Sequence, residues 1–259
     1  FVGQTEAPLL VQPFVSKMTN SELTAVMIGG FATVAGGVMA MYVSMLGNID
    51  GIAGHLLAAS IMSAPAALVV AKIIYPETEE SQTKGDLTIS IKNDDDNIME
   101  ALSTGATNGM KLAANVAAML IAFVATIAMV NAVLSLFGLS LEQILGWIFS
   151  PLAWVMGVPW QEAYVVGSLM GKKLVLTELI AFGDLSTLIS DNVLSERSAI
   201  ISSYALCGFA NFASIGIQLG GIGGIAPERR KDIAQLGLKT MFGGAIASWL
   251  TATIAGLLI

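Results

Sequence analysis

Gly3-Gln4-Thr5-Glu6 and Leu176-Thr177-Glu178-Leu179 are similar stretches, one in each half of a chain of 259 residues. Each holds a Thr-Glu pair in an apolar setting. Each half then has a long apolar run with a Gly-Phe-Ala interruption, at Gly30-Phe31-Ala32-Thr33 in the first half and at Gly208-Phe209-Ala210-Asn211 in the second. Carboxylates and helix breaks at matching places in two halves are typical of transporters in which discontinuous helices enclose a binding site near the bilayer midplane.

The composition places the chain among membrane proteins. Hydrophobic residues make up 55% of the sequence and charged residues 12%, about half of the ~25% found in soluble domains. Four uncharged stretches are each long enough to cross a bilayer as a helix: residues 23–49, 112–141, 198–227 and 240–259. We therefore predict an all-α integral membrane protein, with discontinuous transmembrane helices and re-entrant helical hairpins in an inverted repeat.

The first uncharged stretch is predicted to begin after a helix-start signal at Ser21-Glu22 and to be interrupted in its middle. The interruption consists of Gly29, Gly30, Gly36 and Gly37. Glycines weaken a helix, and in a membrane the freed backbone groups need other partners. Close helix packing through small residues is the alternative interpretation. We favour unwinding next to a ligand because Thr33 lies inside the interruption.

Residues 161–197 lie between two apolar stretches but carry too many charges for a helix that faces lipid. The charged residues are Glu162, Lys172, Lys173, Glu178, Asp184, Asp191, Glu196 and Arg197. Two short arms that meet near residues 176–178, shielded by protein, would satisfy both observations. We therefore predict a re-entrant hairpin, followed by a span over residues 198–220 that is broken near residues 208–214.

Weaker signals predict the remaining segments. In chain order these are a span over residues 52–74, an acid-rich loop over 76–100, a short surface helix from Ile98, a span over 112–136, an interfacial segment over 141–159 broken at Pro151, a glycine-rich loop over 220–227 and a span from Lys231. We divide the chain into two halves of a transport domain (1–75 and 161–259), a cytoplasmic loop with its surface helix (76–107) and a scaffold part (108–160).

The basic residues orient this topology. If residues 161–197 re-enter on their own side, the other face of the membrane has only Arg197. The remaining basic residues outside the hairpin share one face: Lys17, Lys72, Lys84, Lys92, Lys111, Arg229, Arg230, Lys231 and Lys239. By the positive-inside rule that face is cytoplasmic. We expect a protein of the cytoplasmic membrane with its C-terminus outside.

Ionisable groups at membrane depth are costly and indicate function, and Glu6 and Glu178 are the best candidates. The sequence has no metal-ligand cluster, nucleophile elbow or phosphate-binding loop, so we expect neither an enzyme nor a cofactor. We expect no nucleic-acid partner. A structural role, in which each carboxylate accepts hydrogen bonds from unwound backbone, is the alternative to ligand contact.

The residue types suggest the ligand. Glu178, Asn211 and Ser214 offer a carboxylate, an amide and a hydroxyl, which match a vicinal diol such as a sugar has. Gln4, Thr5 and Glu6 suit the edge of a heterocycle, and Phe209 can close an apolar wall. Thr33, beside unwound carbonyls, resembles the oxygen environments that sodium occupies at helix breaks. These residues predict a neutral polyhydroxylated or heterocyclic solute, with cation coupling.

Several longer motifs resemble the concentrative nucleoside transporter family, in order and over essentially the whole chain. They are Phe1-Val2-Gly3-Gln4-Thr5-Glu6-Ala7-Pro8-Leu9-Leu10, Ser63-Ala64-Pro65-Ala66, Pro76-Glu77-Thr78-Glu79, Pro151-Leu152-Ala153-Trp154-Val155-Met156-Gly157-Val158-Pro159 and Gly208-Phe209-Ala210-Asn211-Phe212-Ala213-Ser214-Ile215-Gly216. The matching part is the C-terminal portion of the family's core. The resemblance implies inward transport of nucleosides, mostly with sodium, by a homotrimer whose transport domains move against a scaffold.

The resemblance also implies roles for individual residues. The nucleobase would contact Gln4, Thr5, Glu6 and Val38. The ribose would be held by Glu178, Asn211 and Ser214, with Phe209 packing beside the ligand. Sodium would bind Thr33 and the carbonyls of Val2 and Val34. The Gly3-Gln4 pair is similar to members that accept both purine and pyrimidine nucleosides.

The chain departs from the family pattern in two ways. The family's asparagine ligand for sodium would lie upstream of Phe1, so we expect the sequence to be a fragment without its N-terminal portion, and Ala213 stands where the family often has serine. We predict a sodium-coupled importer of purine and pyrimidine nucleosides. The alternatives are a proton-coupled nucleoside permease, and a membrane receptor or gate that uses the same pocket.

Overall fold

The computed structural model describes residues 2–4, 6–82 and 97–259. These residues form twelve α-helices and one 3₁₀ turn, and they contain no strand. The helices are α1 (Ala7–Leu10), α2 (Gln12–Val15), α3 (Asn20–Ala32), α4 (Gly36–Met45), α5 (Ile52–Ile74), α6 (Ile98–Ser135), α7 (Leu141–Val155), α8 (Trp160–Val175), α9 (Glu178–Ser190), α10 (Glu196–Leu206), α11 (Phe212–Ile225) and α12 (Arg230–Leu258). The described residues therefore have the all-α fold that was predicted. Most of the acid-rich loop lies outside the described residues.

The first predicted helix break is confirmed between α3 and α4. Helix α3 ends at Ala32, residues 33–35 are extended, and α4 begins at Gly36. The start of α3 differs slightly from the prediction, because Thr19 caps the helix. Its hydroxyl accepts a hydrogen bond from the Glu22 backbone N–H over 3.1 Å, and the Glu22 carboxylate accepts one from the Thr19 N–H over 2.9 Å, which is a capping box.

The hairpin and the second break are also confirmed. Helices α8 and α9 pack against each other and meet at Leu176 and Thr177, within the predicted turn. Ser195 caps the following helix, α10, which ends at Leu206, and α11 begins at Phe212. The second half therefore repeats the order of the first half, in which short helices precede a broken one.

Helix α12 is the central element, and it packs against α3, α5, α10 and α11. Small residues permit the contact with α3, since a Cβ atom at Gly244 would collide with Phe31. Such close backbone approach is usual between helices in membranes. Three helical stretches of the described residues are long and apolar enough to cross a bilayer: Asn20–Met45, Ile52–Ile74 and Pro227–Leu258.

Three predictions about helix boundaries were wrong. The surface helix and the third span form one helix, α6, of 38 residues. Helix α7 continues through Pro151, as membrane helices can when neighbouring groups compensate for the missing N–H. The glycines at 220–224 are helical, because α11 continues to Ile225 and Gly220 packs against Asn115 of α6.

Candidate functional site

The two helix breaks touch each other, and Gly208 is the point of contact. Its φ is +107°, which side chains with a Cβ atom rarely adopt. A Cβ atom at this position would also lie 2.6 Å from the carbonyl oxygen of Ala32 and 2.9 Å from that of Phe31. Glycine is therefore required for the close approach of the break after α10 to the end of α3. The candidate site lies around this crossing.

Four buried polar residues form a continuous chain of hydrogen bonds beside the crossing. The Gln4 amide donates to the Ser214 hydroxyl over 3.1 Å. The backbone N–H of Ser214 donates to the Asn211 side-chain oxygen over 2.8 Å, and the Asn211 amide donates to the Glu178 carboxylate over 2.9 Å. All four are at most 7% exposed. The structure thus brings together predicted residues from both halves, 210 positions apart at the Gln4–Ser214 bond.

Local structure fixes these side chains. Asn211 is the N-cap of α11, so its side chain is held by the first turn of that helix. Glu178 is the first residue of α9, whose N-cap is Thr177. Helix N-termini stabilise negative charge, so this position suits a carboxylate that must remain in an apolar region.

Tyr42 is a site residue that the sequence analysis missed. It is fully buried on α4, and its ring stacks on Phe182 of α9 with 4.0 Å between ring centroids. Its hydroxyl is close enough to Glu178 to interact with the carboxylate electrostatically. The one sequence feature that could have indicated Tyr42 is its position four residues after Val38, on the same face of α4.

Gln218 is a second missed residue, one helical turn after Ser214. Its amide donates to the Met27 carbonyl over 3.0 Å. The other amide atom of Gln218, Oε1, is buried, as is Oε1 of Gln4, and among the described residues neither oxygen has a hydrogen-bond partner. A Cβ atom at Gly30 would touch both side chains. The site therefore contains two buried acceptors in a region where unpaired polar atoms are costly.

The other predicted contacts lie further from this chain of hydrogen bonds. Val38 and Phe209 are half-buried and pack against the main core. Glu6 is exposed, with its carboxylate over Gly3. Thr5 lies outside the described residues.

The predicted sodium ligands are only partly gathered. Thr33 and Val34 both lie in the first break, where the Thr33 hydroxyl donates to the Gly29 carbonyl over 2.8 Å and leaves its lone pairs available. Val34 is buried, whereas Val2 is 48% exposed. Gln4 lies against Gly30, so the segment that contains Val2 runs past the end of α3.

Broken helices that cross at a buried polar cluster define a membrane transporter of the type with internal repeats. A profile of the family described as "Na+ dependent nucleoside transporter C-terminus" matches residues 55–256. The chain belongs to this family, the concentrative nucleoside transporters, and corresponds to its C-terminal portion.

Curated relatives agree with this assignment. The whole chain aligns with the uncharacterized transporter YutK of Bacillus subtilis (strain 168) at 48% identity, over 65% of that protein. It aligns with solute carrier family 28 member 3 of Mus musculus at 45% identity over 39% of its length, and with sodium/nucleoside cotransporter 1 of Rattus norvegicus at 43% over 42%. The chain therefore spans less than two thirds of these relatives.

Solved structures show the same fold. The chain resembles CNTnw in an inward-facing substrate-bound state with a TM-score of 0.79 and 46% identity, over 99% of this chain and 62% of that one. A doubly substituted CNTnw in an outward-facing state gives a TM-score of 0.88 and 45% identity, over 100% of this chain and 63% of that one.

Proposed function

We propose that this chain forms the substrate-binding part of a transporter that imports purine and pyrimidine nucleosides with sodium. The observation that carries the proposal is the buried hydrogen-bonded chain Gln4–Ser214–Asn211–Glu178 at the crossing of the two breaks. Its polar groups are the ones that a nucleoside needs, and relatives are named sodium/nucleoside cotransporters.

The ribose binds at the Glu178 end. Asn211 occupies one carboxylate oxygen of Glu178, and the other oxygen accepts hydrogen bonds from the sugar hydroxyls. Ser214 adds a hydroxyl that both donates and accepts. Phe209 packs beside the sugar. A carboxylate accepts hydrogen bonds only, so this end selects ligands with hydroxyl donors.

The nucleobase binds at the Gln4 end, with Thr5, Glu6 and Val38 around it. An amide side chain has both donors and an acceptor, which allows Gln4 to pair with the edges of different bases. Its amide group now bonds to Ser214, so a nucleoside that contacts both residues replaces a bond between the two halves. The buried Oε1 atoms of Gln4 and Gln218 supply further acceptors for the base.

Sodium binds at the first break, through Thr33 and the carbonyls of Val2 and Val34. This break begins three residues after Gly30, which touches Gln4. Ordering of the break by sodium therefore orders the base-binding segment as well, which couples the ion to the nucleoside. Each charge that enters contributes about 2.3 kcal/mol per 100 mV, roughly a 50-fold accumulation at about 1.4 kcal/mol per tenfold change.

The assembly and orientation are part of the same proposal. The chain lies in the cytoplasmic membrane with its C-terminus outside, in a homotrimer, and residues 1–75 and 161–259 move as the transport domain. The distribution of basic residues supports the orientation. Exposed apolar residues on α6, among them Ile121, Met129 and Val133, supply a face for lipid or for neighbouring protomers.

The test is uptake of radiolabelled uridine and adenosine by the full-length protein in proteoliposomes, with an inward gradient of sodium or of choline. We expect accumulation of both nucleosides with sodium alone. Uptake that continues in choline and is abolished by a protonophore would show that the coupling ion is the proton and not sodium. Binding without uptake or counterflow would instead indicate a receptor or gate.

A further inference from the structure

Lys173 is a buried cation to which the proposed binding site assigns no role. It lies in the last turn of α8 and is 1% exposed. Lysine is almost never buried to this extent unless it is paired, and an ionisable group inside a membrane protein indicates function. Its neighbour Lys172 differs, because it is half-exposed and forms an ion pair with Asp184 of α9.

The Lys173 ammonium group contacts the second helix break. It donates to the carbonyl oxygen of Ala205 over 3.0 Å and lies 3.5 Å from that of Cys207. These carbonyls belong to the C-terminal end of α10, where the helix has unpaired acceptors and a negative partial charge. The Ser248 hydroxyl of α12 also donates to Cys207, over 2.6 Å. Lys173 is thus part of a cap on the broken end of α10.

Lys173 also acts on Glu178, the residue that is proposed to bind the ribose. It lies five residues before Glu178, on the other arm of the hairpin turn. Among the described residues the two side chains form no ion pair, so the ammonium acts on the carboxylate through its charge and through the break that it caps. Glu178 is hydrogen-bonded to Asn211, at the far end of the same break. The ammonium group therefore holds the first end of the second break, and Asn211 at the other end of the same break holds the carboxylate.

The two breaks differ in this respect. In the described part of the chain, no lysine or arginine side chain donates a hydrogen bond to the carbonyls of residues 33–35 at the first break, which is the proposed sodium position. The second break receives its positive charge from a side chain instead. A charge that is covalently attached remains in place in every step of transport.

We propose that Lys173 is the fixed counter-charge of the second break and positions Glu178 for the ribose hydroxyls. This inference depends on the proposed nucleoside site and makes Lys173 a positioning residue. Removal of the ammonium leaves two carbonyls and a buried carboxylate without their positive partner. The consequence is weaker nucleoside binding, exerted through Glu178.

The test is uridine binding by calorimetry to the purified full-length protein in saturating sodium. Lys173→Met is expected to raise the Kd by about tenfold or more, the size of a charge-assisted interaction, while the control Lys172→Met changes it less than about threefold, as expected for an exposed ion pair. In a Glu178→Gln background, Lys173→Met is expected to have little further effect, because the carboxylate that it positions is gone.

Equal losses from Lys173→Met in both backgrounds, or an unchanged Kd, would overturn the inference and leave the proposed function intact. Absence of uridine binding by the unmodified protein would refute both. If Lys173→Met folds too poorly for calorimetry, melting temperatures measured without substrate test the inference instead. The double variant Lys173→Met/Glu178→Gln should then melt higher than Lys173→Met, since it has no buried unpaired carboxylate, and a double variant that melts no higher would also overturn the inference.

Discussion

Replacement of Glu178 by glutamine tests the ribose end of the proposed site. The change keeps the shape of the side chain but replaces a carboxylate by an amide, which has one acceptor oxygen and brings two donors. Glu178 is 7% exposed and already accepts one hydrogen bond from Asn211. In the variant, the amide oxygen can retain Asn211, and the NH₂ group then faces the sugar hydroxyls, which lose the charged acceptor for their own O–H groups.

The expected loss follows from the bonds that disappear. A charge-assisted hydrogen bond contributes about 1.5–3 kcal/mol, so loss of even one of them predicts a Kd for uridine at least about tenfold higher. Uracil has no ribose and should lose little. The assay is competition by uridine and by uracil against a labelled nucleoside, in sodium, for the unmodified protein and the variant.

The ratio of the two losses carries the argument. Loss of affinity for uridine alone agrees with a carboxylate that holds the sugar. Equal losses for uridine and uracil would show that Glu178 supports the structure of the break and does not contact the ribose. The melting temperature of the variant, measured without ligand, controls for a general loss of folding.

Three further changes address other parts of the site. Gly208→Ala should lower the melting temperature and abolish uptake, because φ of +107° and the nearby Ala32 carbonyl exclude a Cβ atom, at a cost of about 1–3 kcal/mol. The control Gly224→Ala, at a position with open space, should leave both the melting temperature and uptake unchanged. A Gly208→Ala variant as stable as the unmodified protein would contradict the crossing of the two breaks. Thr33→Val should raise the sodium concentration for half-maximal uptake by about tenfold, because one charge-assisted contact to sodium is lost. Unaltered sodium dependence would show that the hydroxyl only bonds to Gly29 and does not bind sodium. Gln218→Met should weaken both adenosine and uridine in competition assays, because the adenosine amino group and the uridine N3–H each lose an acceptor, and unchanged affinity for both would place Gln218 outside the base site.

The sequence predicted the breaks and the hairpin because their signals are local. Glycine pairs on both sides of Thr33 mark the first break, and the Thr-Glu pair at 177–178 supplies the cap and the first residue of α9. Membership of the family followed from contiguous motifs in the same way. Boundaries failed where tertiary packing overrides local preference, as for the helical glycines of α11, of which Gly220 packs against Asn115 of α6.

The contacts between the two halves were not predictable from these signals. The Gln4–Ser214 hydrogen bond joins residues 210 positions apart, and no pattern in either stretch specifies it. Lys173 was counted among the charges that exclude a lipid-facing helix, but its burial depends on the carbonyls that the second break exposes. Tyr42 and Gln218 occur in apolar stretches as single polar residues, and only the packing of α4 on α9 and of α11 on α3 brings them to the site.

A structure of the full-length protein with uridine and sodium would test the central claim most directly. The account predicts that uridine lies at the crossing of the two breaks, with its ribose hydroxyls within hydrogen-bond distance of Glu178 and its base beside Gln4. Uridine bound elsewhere, or bound in this place with the base at Glu178 and the ribose at Gln4, would contradict the account.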